Sequence, residues 1–403
     1  MSQNSSVAAE RRRDATTDGR VPMAIYCTYF GIDSHLRTTT ICALTPEDGE
    51  LRTRTFKGND YGEMAEWMAD FPQPSHGVYE SGCTGFVPAR MLTRGDTLVE
   101  PVASSKLPSS ADSRSRKNDR RDAERLARLA LAGEVSPVWV PPEQVEGLRE
   151  LAQAMDDLAC VRGAARQRVN AILCRHGISW DERTPTGRLK KRWGQHFWNW
   201  LRSIDLGDAG SQAAYLAALS AAESAEVAYD ELRARAEGIA RASDLGPVID
   251  ALMCVKGVGF SSALAFAAEV GDFSRFASGR KVTSYFGLAP SESSSAESRR
   301  LGRISRNGCA LVRKLLIEGA WVLARGNPAC RKRGGTSVPL AIREHARACS
   351  GRLLGRRREL VSRGLMPCKA NTATAAEMAR MLLYIGRDAQ EAAALAAEVA
   401  LVA

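Results

Sequence analysis

The chain has 403 residues, enough for two or three domains with ample core. Its 44% hydrophobic and 25% charged content is that of a soluble globular protein, and no apolar run is long enough to span a bilayer. The net charge of +10, with an isoelectric point near 9.2, suits a polyanionic partner but does not by itself demand one.

Residues 1–23 read as a polar, disordered tail. It carries Arg11-Arg12-Arg13 with no apolar segment behind it, so it is not a secretory signal. Ten cysteines and five histidines are scattered, without a Cys-x-x-Cys pair, which argues against a zinc site or a disulfide framework. Most of the cysteines read as small core residues of a protein in a reducing cytoplasm.

Residues 25–32 alternate and are rich in Tyr, Phe and Thr, which predicts a strand ending near Asp33. Residues 38–44 and 51–56 predict two more, around a Pro-Glu-Asp-Gly turn, so an antiparallel meander is expected. Residues 61–71 predict a helix stopped by Pro72 and Pro74. A buried strand over 77–82 carries Glu80 near its end. A helix over 86–92 and a strand over 98–102 follow, then a Ser- and Arg-rich loop over 104–116.

Residues 117–131 predict an amphipathic helix. Leu126, Leu129 and Ala130 face a core, and Asn118 is the expected N-cap. Asp119 and Asp122 lie three apart, which places both carboxylates on one helix face. They read either as acidic residues complementing a helix N-terminus or as a pair that needs a cation between them. The order strand, strand, strand, helix, strand, helix, strand, helix resembles the ribonuclease-H fold in its RuvC-like form. In that frame Asp33, Glu80, Asp119 and Asp122 are four carboxylates suited to two Mg²⁺ ions, with Mn²⁺ as a substitute.

Pro141 and Pro142 read as a stiff linker. Residues 143–174 predict a long helix with Leu148, Leu151, Met155, Leu158 and Val161 as its stripe, and residues 211–242 a second with Leu216, Leu219, Leu232 and Ile239. The pair is expected as an antiparallel coiled coil over 141–242. Between them, Trp180, Trp193, Trp198 and Trp200 lie among Arg188, Lys190, Lys191 and Arg192. That mixture suits either stacking on single-stranded nucleic acid or ordinary aromatic packing.

Residues 248–254 and 260–270 predict short helices around Val255-Lys256-Gly257-Val258-Gly259. Lys256, Gly257 and Gly259 are phosphate-binding candidates, because such a turn exposes backbone N–H groups at a helix start. A further helix is expected over 281–286. A serine-rich loop then runs into Arg299, Arg300, Arg303 and Arg306. It reads as a solvated loop, or as an exposed serine nucleophile whose arginines hold a phosphate. Residues 311–323 predict a closing helix, and 375–385 and 389–399 two terminal ones. Domains are expected at 24–140, 141–242 and 243–370, with C-terminal helices over 371–403.

Five motifs go together: Gly31-Ile32-Asp33, Tyr79-Glu80-Ser81-Gly82-Cys83-Thr84-Gly85, Lys117-Asn118-Asp119-Arg120-Arg121-Asp122-Ala123, Val255-Lys256-Gly257-Val258-Gly259 and Tyr285-Phe286-Gly287-Leu288-Ala289-Pro290. On these motifs, residues 24–325 resemble the insertion-sequence transposases of the DEDD type, the bridge recombinases. The resemblance implies an α/β RuvC-like catalytic domain, a coiled-coil middle and a mainly α transposase domain. It implies that Asp33, Glu80, Asp119 and Asp122 hold the metals, and that a serine of the second domain, here Ser295, bonds covalently to DNA. The family pattern has glycine after that serine and this chain has Ala296, so the register among Ser293, Ser294 and Ser295 stays open. Donor and target DNA, a structured non-coding guide RNA and a homo-oligomer, dimer or tetramer, are the implied partners. Two other readings share parts of this pattern: a RuvC-like nuclease without a covalent intermediate, and a non-catalytic nucleic-acid-binding protein.

Overall fold

In the computed structural model, residues 26–108, 118–292, 301–324 and 337–402 are described. Two compact units divide the chain, one ending at Pro141 and one beginning at Pro142.

The first unit is built on a five-stranded mixed sheet in the order β3-β2-β1-β4-β5. The strands are β1 (Thr28–Ser34), β2 (Thr38–Thr45), β3 (Glu50–Lys57), β4 (Ser75–Glu80) and β5 (Thr97–Val102). β1 to β3 form the expected antiparallel meander, whereas β4 and β5 run parallel to β1. The helices are α1 (Tyr61–Ala69), α2 (Val87–Leu92) and α3 (Asp119–Leu131). β1 starts and ends later than its residue pattern suggests, which puts Asp33 inside the strand.

Alternation along β1 sorts its side chains between two layers. Phe30 and Ile32 join Met64, Met68 and Tyr79 in the core under α1, while Tyr29 joins Val78, Val102, Leu126 and Ala130 under α3. Gly31 faces α3 as well. A Cβ there would collide with the Ala123 carbonyl oxygen and the Ala127 amide nitrogen, so glycine at this position lets the helix backbone lie directly on the strand. Asn118 caps α3 as its sequence suggests, its side chain accepting from Arg120 N–H at 3.0 Å.

The second unit is mainly helical. Its long helices α4 (Glu143–Arg175) and α6 (Ala209–Ala242) pack along each other, with α5 (Gln195–Arg202) between them in sequence. The pair is antiparallel, because Val169 and Ile172 share a cluster with Tyr215 and Leu219, and Leu148 and Met155 share one with Ala236 and Ala240. Its seam differs from the expected leucine stripe. Leu148, Met155 and Leu219 are buried as expected, but Val161, Leu216 and Ile239 are exposed, and Ala218, Ala222, Ala225, Ala236 and Ala240 fill much of the interface. The four tryptophans also pack inward. Trp180 and Trp198 are buried, and Trp193 and Trp200 lean on Phe197, so these rings hold the insertion together and are not a stacking platform.

After these come α7 (Gly246–Leu252), α8 (Phe260–Val270), α9 (Gly279–Tyr285), a small hairpin of β6 (Pro290–Glu292) and β7 (Leu301–Ile304), α10 (Ala310–Ala324), α11 (Leu340–Ser362) and α12 (Pro367–Val402). The last is one helix where two were expected. Gly386 does not break it. A Cβ there would strike the Phe273 ring, so the glycine is a notch that receives an aromatic side chain. α12 shares its core with α7 and α8 through Met378, Leu382 and Ile385.

Candidate active site

The register of β1 against α3 gathers the acidic residues. Gly31 touches Ala123. From there Asp33 lies two strand residues on, about 6.6 Å, and Asp119 lies four helix residues back, about 6 Å. The two displacements run the same way and nearly match. One donor atom each from Asp33, His35 and Asp119 falls within 4.8 Å of the others. His35 Nε2 also sits 3.2 Å from Asp33 Oδ2, an arrangement that orients the carboxylate.

Asp33 titrates above the ordinary carboxylate range. Burial is the main cause, the His35 side chain opposes it, and the negative charges of Asp119 and Asp122 add to it. Asp122 therefore acts on Asp33 through its field, although it lies outside the three-residue cluster. Glu80 is outside the cluster too. It ends β4, and the pair Ile32 and Tyr79 immediately precedes Asp33 and Glu80 on adjacent parallel strands. Because Val78 lies in the layer under α3, Glu80 points to the same side as Asp33, and it is exposed there.

His35 is the member that motif reasoning omitted. It stands one residue past the end of β1 and reaches back to Asp33, a position that periodicity does not mark. Two carboxylates and an imidazole, with no Arg or Lys paired to them among the described residues, suit a divalent cation.

In the second unit, Gly257 adopts φ +91 and its backbone presses on Gly319 of α10, where an added Cβ would meet the Gly257 oxygen at 2.7 Å. Lys256 N–H donates to Ser350 Oγ at 3.0 Å. Gly259 precedes α8, whose start has no side-chain cap. The β6–β7 hairpin is tied at its base: Ser305 N–H donates to the Ala289 carbonyl at 2.9 Å and Arg306 N–H to that of Gly287 at 3.1 Å. Arg313 Nη1 donates to the carbonyls of Phe286 at 3.0 Å and Asn307 at 3.2 Å, locking both sides together. Arg303 and Arg306 are exposed at that base. Ser295, Arg299 and Arg300 lie outside the described residues.

A DEDD transposase model of the IS110 type matches residues 30–177, a span containing all four acidic positions, and the transposase model of the IS116/IS110/IS902 family matches 249–334. The protein y4qE of Sinorhizobium fredii, named as a transposase, is 33% identical over 93% of this chain and 92% of its own length. The chain belongs to the IS110/IS116 transposase family. Other members similar to it are the transposase for insertion sequence element IS1533 of Leptospira borgpetersenii, 26% identical over 63% of this chain and 72% of its own, and that for IS1111A of Coxiella burnetii, 28% identical over 53% and 56%. As a DEDD transposase it is an enzyme of DNA transposition, with DNA as substrate and a divalent metal in use. No helix among the described residues is long and apolar enough to cross a membrane.

Proposed function

We propose that this transposase cuts and exchanges DNA strands at a carboxylate site formed by Asp33, Glu80, Asp119 and Asp122, in a RuvC-like domain, with Mg²⁺ as the physiological ion. The observation that carries this reading is the meeting of Asp33, His35 and Asp119 donor atoms within 4.8 Å. Bound there, a divalent ion supplies Lewis-acid stabilisation of phosphoryl oxygens. Asp33 and Asp119 are the donors on the strand and helix sides. Glu80 extends the site across the end of the sheet onto β4, and Asp122 adds charge one turn into α3. His35 fixes the Asp33 carboxylate, and its nitrogen makes the site more tolerant of Mn²⁺ than an all-oxygen one.

The second half of the reaction is assigned to Ser295. Its hydroxyl oxygen gives up its proton to solvent and forms a bond to DNA phosphorus while the bond from that phosphorus to a deoxyribose oxygen breaks, and the displaced oxygen takes a proton and leaves as a DNA hydroxyl end. Arg299, Arg300, Arg303 and Arg306 balance the phosphate charge. Of Lys256, Gly257 and Gly259, the last offers a further backbone grip at the uncapped start of α8, since the Lys256 N–H is spent on Ser350 Oγ and Gly257 is packed on Gly319. Sequence choice is carried by a structured RNA paired to donor and target DNA, and an oligomer brings the two sites to one crossover. These last assignments rest on the family resemblance and on the basic composition.

The decisive experiment co-expresses the protein with its flanking DNA. Expected outcomes are a co-purifying RNA, metal-dependent cleavage lost in Asp119→Asn, and a protein–DNA adduct lost in Ser295→Ala. Cleavage without an adduct in the wild type would leave a metal-dependent nuclease instead. An adduct that survives in Ser295→Ala but not in Ser294→Ala would move the nucleophile by one residue.

A further inference from the structure

We propose that Leu36, Arg37 and Lys57 form the surface that sets the DNA strand in register with the carboxylates, an assignment that rests on the metal-site reading above. Leu36 and Arg37 make the tip of the β1–β2 hairpin, closed by His35 N–H donating to the Thr38 carbonyl at 3.0 Å. The Arg37 carbonyl in turn accepts from Gly58 N–H at 2.7 Å, which joins the tip to the end of β3. Arg37 is therefore two residues from His35, a member of the acidic cluster.

The sheet register fixes Lys57. Asp33 pairs with Thr40, Thr38 lies two residues before Thr40 on the same face, and Thr38 pairs with Lys57. Lys57 thus projects from the same face as Asp33. Arg37 and Lys57 are exposed, and neither has an acidic partner among the described residues. Two cations on adjoining strand ends thus stand at the same end of the sheet as the carboxylates. An anion with repeating charges neutralises both, and a DNA strand entering a negatively charged site needs such compensation.

Leu36 completes the surface. It is 74% exposed, the most open large apolar side chain among the described residues of the first unit, and it stands between His35 and Arg37. Arg37 and Lys57 hold phosphates beside the reacting one, and Leu36 rests against the adjoining base or sugar. The three are positioning residues.

The test compares Leu36→Ala, Arg37→Ala and Arg37→Ala/Lys57→Ala with wild type. All three sites are exposed, so folding and the Mn²⁺-induced rise in melting temperature are expected to stay at wild-type values. Binding of a fluorescein-labelled DNA duplex with a single-stranded tail is followed against salt. The double variant is expected to flatten the slope of log K against log salt by about 0.7–0.9 per lost contact, with cleavage at the element end falling at least about tenfold and scattering over neighbouring phosphates. With 2-aminopurine next to the cut, wild type raises fluorescence and Leu36→Ala reduces that rise. An unchanged slope and unchanged cleavage would overturn the proposal, as would a slope change with an RNA of the same sequence but not with DNA. Normal cleavage by Asp33→Asn would instead overturn the metal site and this proposal together, so the two failures are distinguishable.

Discussion

Gly31 in the first unit and Gly257 in the second both let backbone touch backbone, and they do so for different ends. Gly31 admits α3 onto β1, and the charged ends of both elements, Asp33 and Asp119, meet as a result. Gly257 admits Gly319 of α10, and what surrounds it is apolar: Val255, Val258 and Leu316 are all buried. The first contact holds repelling charges in place, whereas the second only tightens a core. Close packing is thus the support on which an electrostatically unfavourable site is built.

The largest test of that difference is chemical. Asp33→Asn is expected to lower metal-dependent DNA cleavage by about a thousandfold or more, while the fold survives. Calorimetric titration with Mn²⁺ checks that the loss follows metal binding; full-strength binding by the variant would remove Asp33 from the site.

Next come the two glycines. Gly31→Ala and Gly257→Ala are each expected to cost about 3 kcal/mol by overpacking, the second with added strain from its positive φ. Urea unfolding measures both. Only Gly31→Ala should also weaken metal binding, since only there does the displaced helix carry a ligand. Equal metal affinity in both variants would break the comparison.

A smaller effect has the opposite sign. Asp33 titrates above its unfolded value, so its folded state favours the proton. Its contribution to stability is fully present below the ordinary value of 3.8 and is lost as pH rises through the elevated folded value. Metal-free Asp33→Asn is therefore expected to melt higher than metal-free wild type at neutral pH, with the gap closing below about pH 4. Added Mn²⁺ should raise the wild type alone. A variant that melts lower at pH 7 would show that the carboxylate is not under strain.

Much of the first unit was readable because its elements are short, alternating and punctuated by Pro and Gly. The order of strands and helices and the Asn118 cap followed from pattern, whereas Asp33, Glu80, Asp119 and Asp122 were singled out through the family resemblance, and the structure gathers Asp33 and Asp119 of them with His35. His35 was not readable, because a single histidine past a strand carries no periodic signal. In the second unit the alanine seam of α4 and α6 was hidden behind more conspicuous large apolar residues, of which Val161, Leu216 and Ile239 face solvent. α11 was missed because six arginines dilute its apolar face, although Ile342, Ala346, Leu353 and Leu354 are buried. The β6–β7 hairpin was read as loop, since strands of three and four residues held by side-chain ties such as Arg313 leave little trace in composition.

The smallest expected effect concerns how two helices begin. α3 is capped by Asn118 and α6 by Asp208, whose carboxylate accepts from Ser211 N–H at 2.7 Å and is held below the ordinary range by that bond. The Asp208 cap is therefore present at neutral pH and disappears as pH falls through its lowered value. The Asn118 cap does not titrate. An amide there also keeps a further negative charge away from Asp119 and Asp122, where another carboxylate would add to the repulsion that already raises Asp33. Asn118→Ala is expected to cost about 1 kcal/mol at every pH and to weaken Mn²⁺ binding a few-fold, because the first turn of α3 frays with Asp119 on it. Asn118→Asp keeps the cap, so it should hold stability in the presence of Mn²⁺ but lose some in its absence. Melting curves with and without Mn²⁺ separate the two: if the aspartate variant is no less stable without the ion, charge crowding at this helix start is not what the ion relieves.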